Sequence, residues 1–428
     1  MQGAGIARAA DREIEVNFER AQPAAEAGNH PLAERMGVIA GFSHNIVVGA
    51  VFGTFSIMLA STEERLGVSS EAASLGIPLV VIGSSLLASV AGVLVARYSL
   101  RRLMAIAAGM AATAFLLLAF TRTYPIYLFA YGVLLGPAIA IAGSVGPATL
   151  VTRWFSRNRG LALGIVHVPV VVAVLPMVTN WLLFNHGATA AYLLPAGLIA
   201  LVVLPLSLLA VDHPPKRREA EARVPAIATD GGSRPLRRIV AMPAFWALAF
   251  GGSAVATGAV LLGAVLIPMA LSWGLDRPHA AVLATILSLV GIAGSVVFGW
   301  LADRLGGART LALICFDLAI LWISLLVVRD FAVIATAIGL IGMHGAGMIP
   351  SLGRGLAESC GAAGFSRAFG LAMTVSLPLT VLAVLGTARF YAATGSFSGG
   401  IVGMTILYAL AAPLTVLVGR NARAVIRA

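Results

Sequence analysis

The stretch "GWLADRLGGART", Gly299–Thr310, sets two charges, a glycine pair and an arginine directly after a run of nearly pure apolar sequence. A weaker copy, "GVLVARYSLRRL", stands at Gly92–Leu103, so that Gly92 and Gly299, like Arg97 and Arg304, are 207 residues apart. Composition explains why so apolar a chain carries such turns. Of 428 residues, 59% are hydrophobic and 11% are charged, against about 25% charged in soluble domains. A soluble core cannot hide that much apolar surface, so lipid is the solvent. The two cysteines, Cys315 and Cys360, form no pattern for a disulfide framework or a zinc site. A net charge of +11 would suggest nucleic acid in a soluble protein. Here the basic residues fall between apolar runs, which is how membrane proteins record orientation.

A span needs about 20 mainly apolar residues. Twelve are read: Gly37–Ala60, Ser74–Ala96, Leu103–Thr121, Pro125–Leu150, Gly160–Leu183, Thr189–Val211, Met242–Ala270, Ala280–Ala302, Thr310–Val328, Phe331–Leu352, Ala368–Ala388 and Gly399–Gly419. With twelve spans both termini share a side. That side then holds 24 of the 29 Lys and Arg residues, which makes it cytoplasmic. The chain is expected to be all-α, with a cytoplasmic tail (1–36), a six-helix bundle (37–211), a linker (212–241), a second six-helix bundle (242–419) and a short cytoplasmic tail (420–428). The tail has no apolar h-region of a signal peptide. Proline, glycine and mixed charge in "DHPPKRREAEARVPAIATDGGSRPLRR", Asp212–Arg238, mark the linker. A looser repeat pairs "RNRGLALGIVHVP" (Arg157–Pro169) with "SRAFGLAMTVSLP" (Ser366–Pro378). Duplicated membrane folds of this kind suit a transporter that rocks one half against the other around a central site.

At these residues the chain resembles the major facilitator superfamily, whose motif between the second and third spans is Gly-x-Leu-Ala-Asp-Arg-x-Gly-x-Arg-Arg/Lys. Gly299, Leu301, Ala302, Asp303, Arg304, Gly306 and Arg309 match it. The first copy keeps Gly92, Leu94, Arg97, Arg101 and Arg102, but Ala96 replaces the aspartate and Ser99 the glycine. Glycines let helices and a tight turn approach closely. An anion such as Asp303 is favoured beside arginines and a helix N-terminus. The resemblance implies that Gly299, Asp303, Arg304, Gly306 and Arg309, with Arg97 and Arg101, form a latch that holds the cytoplasmic face in one conformation. In the first copy, without an aspartate, the arginines read as positive-inside anchors.

Within that superfamily the chain resembles the monocarboxylate and oxalate/formate porters. "TRWFSRNRGLALGI" (Thr152–Ile165), "MPAFWALAFGG" (Met242–Gly252) and "ARFYAATGSFSGG" (Ala388–Gly400) carry the likeness. Monocarboxylate porters usually hold a buried arginine in the eighth span. Here "AVLATILSLVGIAGSVVFGW", Ala281–Trp300, has Ser288 and Ser295 and no charge, and the eleventh span has no lysine. A carboxylate is buried only if paired or richly hydrogen-bonded. A small dianion is therefore disfavoured, while a bulkier or more apolar acid, or a neutral solute, fits. Drug/proton antiporters are the rival branch. They resemble one another in a fourth-span arginine and a fifth-span glycine pair, which this chain lacks, with Gly132 at the arginine's place.

Polar groups inside spans are functional suspects. His44, His167 and His344 can carry a coupling proton, since histidine titrates near neutrality; packing through a carbonyl is the other reading. Asn45 lies about 100° round the helix from His44. Ser253 and Thr257 share a helix face. Ser144, Ser253, Thr257, Ser288 and Ser295 can hydrogen-bond a solute, while Gly143 and Gly146 read as packing positions. Asp317, the one acid well inside a span, is placed about two turns from the cytoplasmic side and read as an interfacial acid. Arg354 and Glu358 are one turn apart, a surface pair or a gate pair.

No His-Glu-x-x-His, Gly-x-Ser-x-Gly, Walker lysine loop or Cys/His cluster occurs, so an enzyme and an ATP-driven pump are disfavoured and neither metal nor cofactor is expected. The sequence thus points to a monomeric secondary porter of a bacterial-type inner membrane, moving a small organic acid, with the proton as coupling ion and no nucleic-acid partner. The alternatives are an efflux porter for neutral compounds and a sensor of the same fold that binds without transporting.

Overall fold

The computed structural model describes residues 30–214 and 236–427, with side chains to residue 417. The 1–29 part of the expected tail and residues 215–235 of the linker lie outside the described residues. No strand occurs among the described residues. Ten helices among the described residues are long and apolar enough to cross a membrane, and two of these are double. Gly187 (φ 80°, ψ 174°) splits Arg159–Leu209, and Gly361 (φ 70°, ψ 169°) splits the helix that ends at Thr394. Only glycine adopts such a backbone without strain, and each glycine turns one helix into two. Twelve spans result: α1 Ala33–Leu66, α2 Gly76–Arg97, α3 Leu100–Phe120, α4 Tyr124–Trp154, α5 159–186, α6 188–209, α7 Pro243–Ser272, α8 Arg277–Leu305, α9 Gly307–Ser324, α10 331–360, α11 362–394 and α12 Ser398–Arg427. Helices suit lipid because they satisfy their own backbone groups. Several run past the apolar segments, so α1 begins at Ala33 and α12 continues to Arg427. A short helix, Leu236–Val240, precedes α7.

The two halves join at the end where α6 stops and α7 starts, called here the linker end. One buried core lies wholly within the first half, from Ile46 to Val203. The other fills the second half and continues into the linker end of the first, through Met36, Ala88, Val95, Val145 and Leu163. Two helix crossings make that junction. In α5 on α8, a Cβ on Gly160 would meet the Gly299 carbonyl oxygen at 2.4 Å, and one on Gly164 the Ser295 carbonyl oxygen at 2.3 Å. In α2 on α11, a Cβ on Gly92 would meet the Ser366 carbonyl oxygen at 2.3 Å, and one on Gly370 the Ala88 carbonyl oxygen at 2.2 Å. The 207-residue repeat is thus a repeat of contacts. It also corrects the looser alignment. Ser366 is the counterpart of Gly160 and Gly370 that of Gly164, so the two "GLA" strings are about one helical turn out of register.

Helices α4, α5 and α6 depart from regular winding, α6 through a π-helical stretch at Ile199–Val203. In α4, Ala130–Leu135 and Ile139–Val145 are π-helical, and Pro137 and Pro147 stand beside them. Helix α5 is broken at His167–Pro169 and resumes at Val170. A proline disfavours helix in the residue before it.

Candidate functional site

Asp303 ends α8 facing the start of α5 in the other half. Its two carboxylate oxygens accept from the backbone N–H groups of Gly160 and Leu161, each at 2.8 Å. The first turn of a helix leaves its N–H groups free and carries positive dipole charge, so a carboxylate fits both needs. Arg354 Nε lies 3.7 Å from Asp303 Oδ1 and donates to Glu358 Oε1 at 2.8 Å. Glu358 Oε2 accepts from the N–H of Gly307 at the start of α9, at 3.2 Å. The latch and the gate pair, read separately in the sequence, are therefore one cluster that joins α5, α8, α9 and α10. Its glycines act through close approach, Gly299 at the crossing and Gly306 (φ 90°) at the turn into α9.

The arginines of the motif stand elsewhere, which corrects their expected place beside Asp303. Arg304 lies over the Trp300 ring, 4.0 Å from its centroid. Arg309 lines a groove between α9 and α12. Arg97 and Arg101 are exposed. At a helix end a long side chain reaches outward. In the first half, Asp212 supplies the missing anion locally, accepting from the N–H groups of Leu100 and Arg101 at 3.1 Å each to cap α3. At the α2–α11 crossing Ala96 stands where the aspartate would be. The α2–α11 crossing is held instead by Thr374, which accepts from the backbone N–H of Ser89 at 3.1 Å and donates to the Ser85 carbonyl at 2.6 Å.

Beyond this closed layer lies a cavity of about 180 Å³ between the halves. Pro169, Val172 and Ala173 of α5 form one wall. Helices α7, α8 and α10 form the other, with Leu262, Leu287, Ser288 and Gly345 among the lining residues, and Tyr408 of α12 at the edge. No arginine, lysine or acid lines it.

Of the polar candidates, Ser288 alone lies in this wall, and its hydroxyl donates to the Ala284 carbonyl at 3.1 Å. His44 donates through Nδ1 to the Gly143 carbonyl. That carbonyl sits four residues before Pro147, which has no N–H to offer it, so His44 satisfies a group that the proline orphans. Ser43 donates to the neighbouring Ala142 carbonyl at 2.8 Å, which the π-helical stretch frees by turning the Gly146 N–H to the Ile141 carbonyl. Asn45 braces the break in α5, accepting from Val170 N–H at 3.1 Å and donating to the Val166 and Gly41 carbonyls at 3.1 Å each. His167 lies in that break, its ring 4.3 Å from that of His44. Its Nδ1 donates to the Leu163 carbonyl at 2.8 Å, and its buried Nε2 has no partner.

Ser144 donates within its own helix, to Ala140 at 3.1 Å. Ser295 donates to the Gly164 carbonyl at 2.7 Å, inside the α5–α8 crossing. Thr257 meets Thr380 of α11 at 3.0 Å, and the Ser253 hydroxyl is buried without a partner. Gly143 and Gly146 of α4 are buried; a Cβ on Gly146 would meet the Ile141 carbonyl oxygen at 2.5 Å. His344 meets Asp317 of α9, Nε2 to Oδ2, at 3.0 Å. The sequence reading missed that pair, although both residues lie near mid-span in consecutive helices. It missed the α5 break too, which "HVP" signals.

The profile of the Major Facilitator Superfamily matches residues 41–377, most of the chain. The protein belongs to the Major Facilitator Superfamily. Among its relatives, the uncharacterized MFS-type transporter YcxA of Bacillus subtilis is 24% identical over 318 residues, covering 73% of this chain and 70% of that protein. Monocarboxylate transporter 12 of Mus musculus is 27% identical over 220 residues, covering 46% of this chain and 45% of that one. Among solved structures, the transporter FucP in its outward conformation superposes with a TM-score of 0.69 at 13% identity, covering 89% of this chain and 98% of FucP. That likeness is one of fold. This superfamily member is a multi-pass integral membrane transporter and not an enzyme.

Proposed function

We propose that this transporter moves a small organic acid with an apolar body, by alternating access and together with a proton, as a monomer in an inner membrane with the linker end cytoplasmic. The observation that carries the reading is the cavity. Its volume of about 180 Å³ lies below the ~300–1,000 Å³ of drug-sized sites, which favours a small solute. Its wall is almost wholly apolar, which suits a hydrocarbon body. One wall begins at the restart of α5, where the helix dipole favours a carboxylate. With no fixed positive charge in the wall, an anion is buried cheaply only when a proton accompanies it. The two glycine crossings and the Asp303 cluster close the linker end, as one state of a rocking cycle requires. The arginine bias supports the cytoplasmic assignment of that end.

Counterflow and pH-gradient-driven uptake of labelled lactate, pyruvate and benzoate in proteoliposomes test the reading. Expected are exchange of at least one of them and accumulation driven by an inward proton gradient. Exchange that ignores the pH gradient removes the proton. Binding in a thermal-shift screen without any flux turns the protein into a sensor. The apolar wall also suits a neutral solute, and flux of neutral compounds alone moves the protein to the efflux branch.

A further inference from the structure

Asp317 is ten residues into α9, about 15 Å at 1.5 Å per residue, and thus past the middle of the 18-residue helix. A lone acid at that depth is expensive, and His344 is its partner. The hydrogen-bond directions around the imidazole limit where protons sit. Nδ1 lies 2.7 Å from the Leu340 carbonyl. A carbonyl only accepts, so Nδ1 carries a hydrogen. The Nε2–Oδ2 contact of 3.0 Å then needs one more proton between the two atoms. Either a carboxylic acid donates to the bare nitrogen, or an imidazolium donates to a carboxylate. Both forms are neutral overall and hold one proton. Its loss leaves a carboxylate facing a nitrogen lone pair, and the contact turns repulsive.

The pair has no other hydrogen bond or ion pair among the described residues. Ionisable groups on the elements packed nearby are few. Arg309 lies two turns back on α9 and Cys315 points to the Gly251 carbonyl of α7. Tyr408 of α12 packs on Trp322, Arg354 further along α10 is held by Glu358 and Asp303, and Arg367 starts α11. Helix α7 has no ionisable side chain, and α8 has none between His279 and Asp303. Helix α8 instead sets Phe298 against the His344 ring, centroids 4.8 Å apart. The segment of α10 that holds His344 also forms the cavity wall at Ile341, Gly345 and Ala346. The same helix carries Arg354 and Glu358 of the closing cluster.

We propose that Asp317 and His344 together bind the coupling proton, one proton shared between them, and that the protonated pair clamps α9 to α10 and favours closure of the linker end. The clamp rests on the reading of the protein as a proton-coupled transporter. The proton enters as H⁺ from solution and leaves as H⁺, with no bond made or broken besides N–H or O–H. By linkage, whatever favours the closed linker end favours the proton, and the reverse.

The test needs no substrate. Nitroxides are placed on Arg102→Cys and Leu305→Cys, both exposed at the linker end of opposite halves, with Cys315 and Cys360 replaced by alanine. Double electron–electron resonance then follows the distance in nanodiscs as the pH is stepped from acid to alkaline. Expected is a one-proton step from a short to a long distance as pH rises, since the clamp is present while the proton is bound. In Asp317→Asn the amide N–H donates to Nε2 without a dissociable proton, so the distance stays short at every pH. His344→Gln, a second variant in case the first misfolds, also loses the step. A folded Asp317→Asn or His344→Gln protein that keeps the parent's pH step overturns the proposal, as does a parent with no step. Failure of the organic-acid reading is separate. Lactate, pyruvate and benzoate that all fail in counterflow, while the pH step and its loss in Asp317→Asn persist, remove the substrate class and leave the proton site.

Discussion

Asp303→Asn is the sharpest probe of how the halves are held together. The carboxylate accepts two backbone N–H groups of the opposite half at 2.8 Å each, and its side chain is 13% exposed. Hydrogen bonds to a charged group contribute about 1.5–3 kcal/mol each, and a carboxylate at a helix start adds roughly 0.3–1 kcal/mol. Asparagine keeps one acceptor, now neutral, and turns an N–H toward the second backbone N–H. The expected loss is about 2–4 kcal/mol of preference for the closed linker end, or roughly a 30- to 700-fold shift toward the open one. Arg354 changes this little, because at 3.7 Å it makes no close hydrogen bond to the carboxylate and Glu358 keeps the arginine in place. The assay is the Arg102–Leu305 spin-label distance at fixed low pH, where the Asp317–His344 clamp is intact. The variant should show a large long-distance population and still insert and purify as a folded protein. Distances identical to the parent's refute the reasoning, because the carboxylate then does not hold the halves together.

The other predictions use different contacts. Gly370→Ala puts a methyl on the Ala88 carbonyl oxygen, 2.2 Å away, and should lengthen the same label distance at a cost of roughly 1–3 kcal/mol; Gly386→Ala on the same helix meets open space and should leave it unchanged. Asn45→Ala removes the brace across the break in α5 and should lower stability by roughly 1–3 kcal/mol, read as a lower midpoint in a thermal melt. His44→Gln keeps a donor for the Gly143 carbonyl, so the pH step in the spin-label distance should persist, in contrast to His344→Gln.

Much of the architecture was legible without coordinates. Lipid demands long apolar helices, so composition and run length were enough for twelve spans, and the 207-residue repeat was enough for two halves. The Asp-bearing turn at Gly299–Thr310 was legible as a candidate latch, but its partner was not. What the sequence could not hold was rotation and register. Spans that are apolar on nearly every side carry no stripe to say which face looks inward, and a polar residue can serve any neighbour it is turned toward. Only the packed helices decided that Asp303 caps α5, 143 residues away, and not the helix that follows it. Packing likewise turned His44 to the carbonyl that Pro147 orphans and set the repeat's register at Ser366 in place of the matching "GLA" string. It also paired Asp317 with His344, because α9 and α10 bring two groups of similar depth together where each would otherwise stand uncompensated in hydrocarbon.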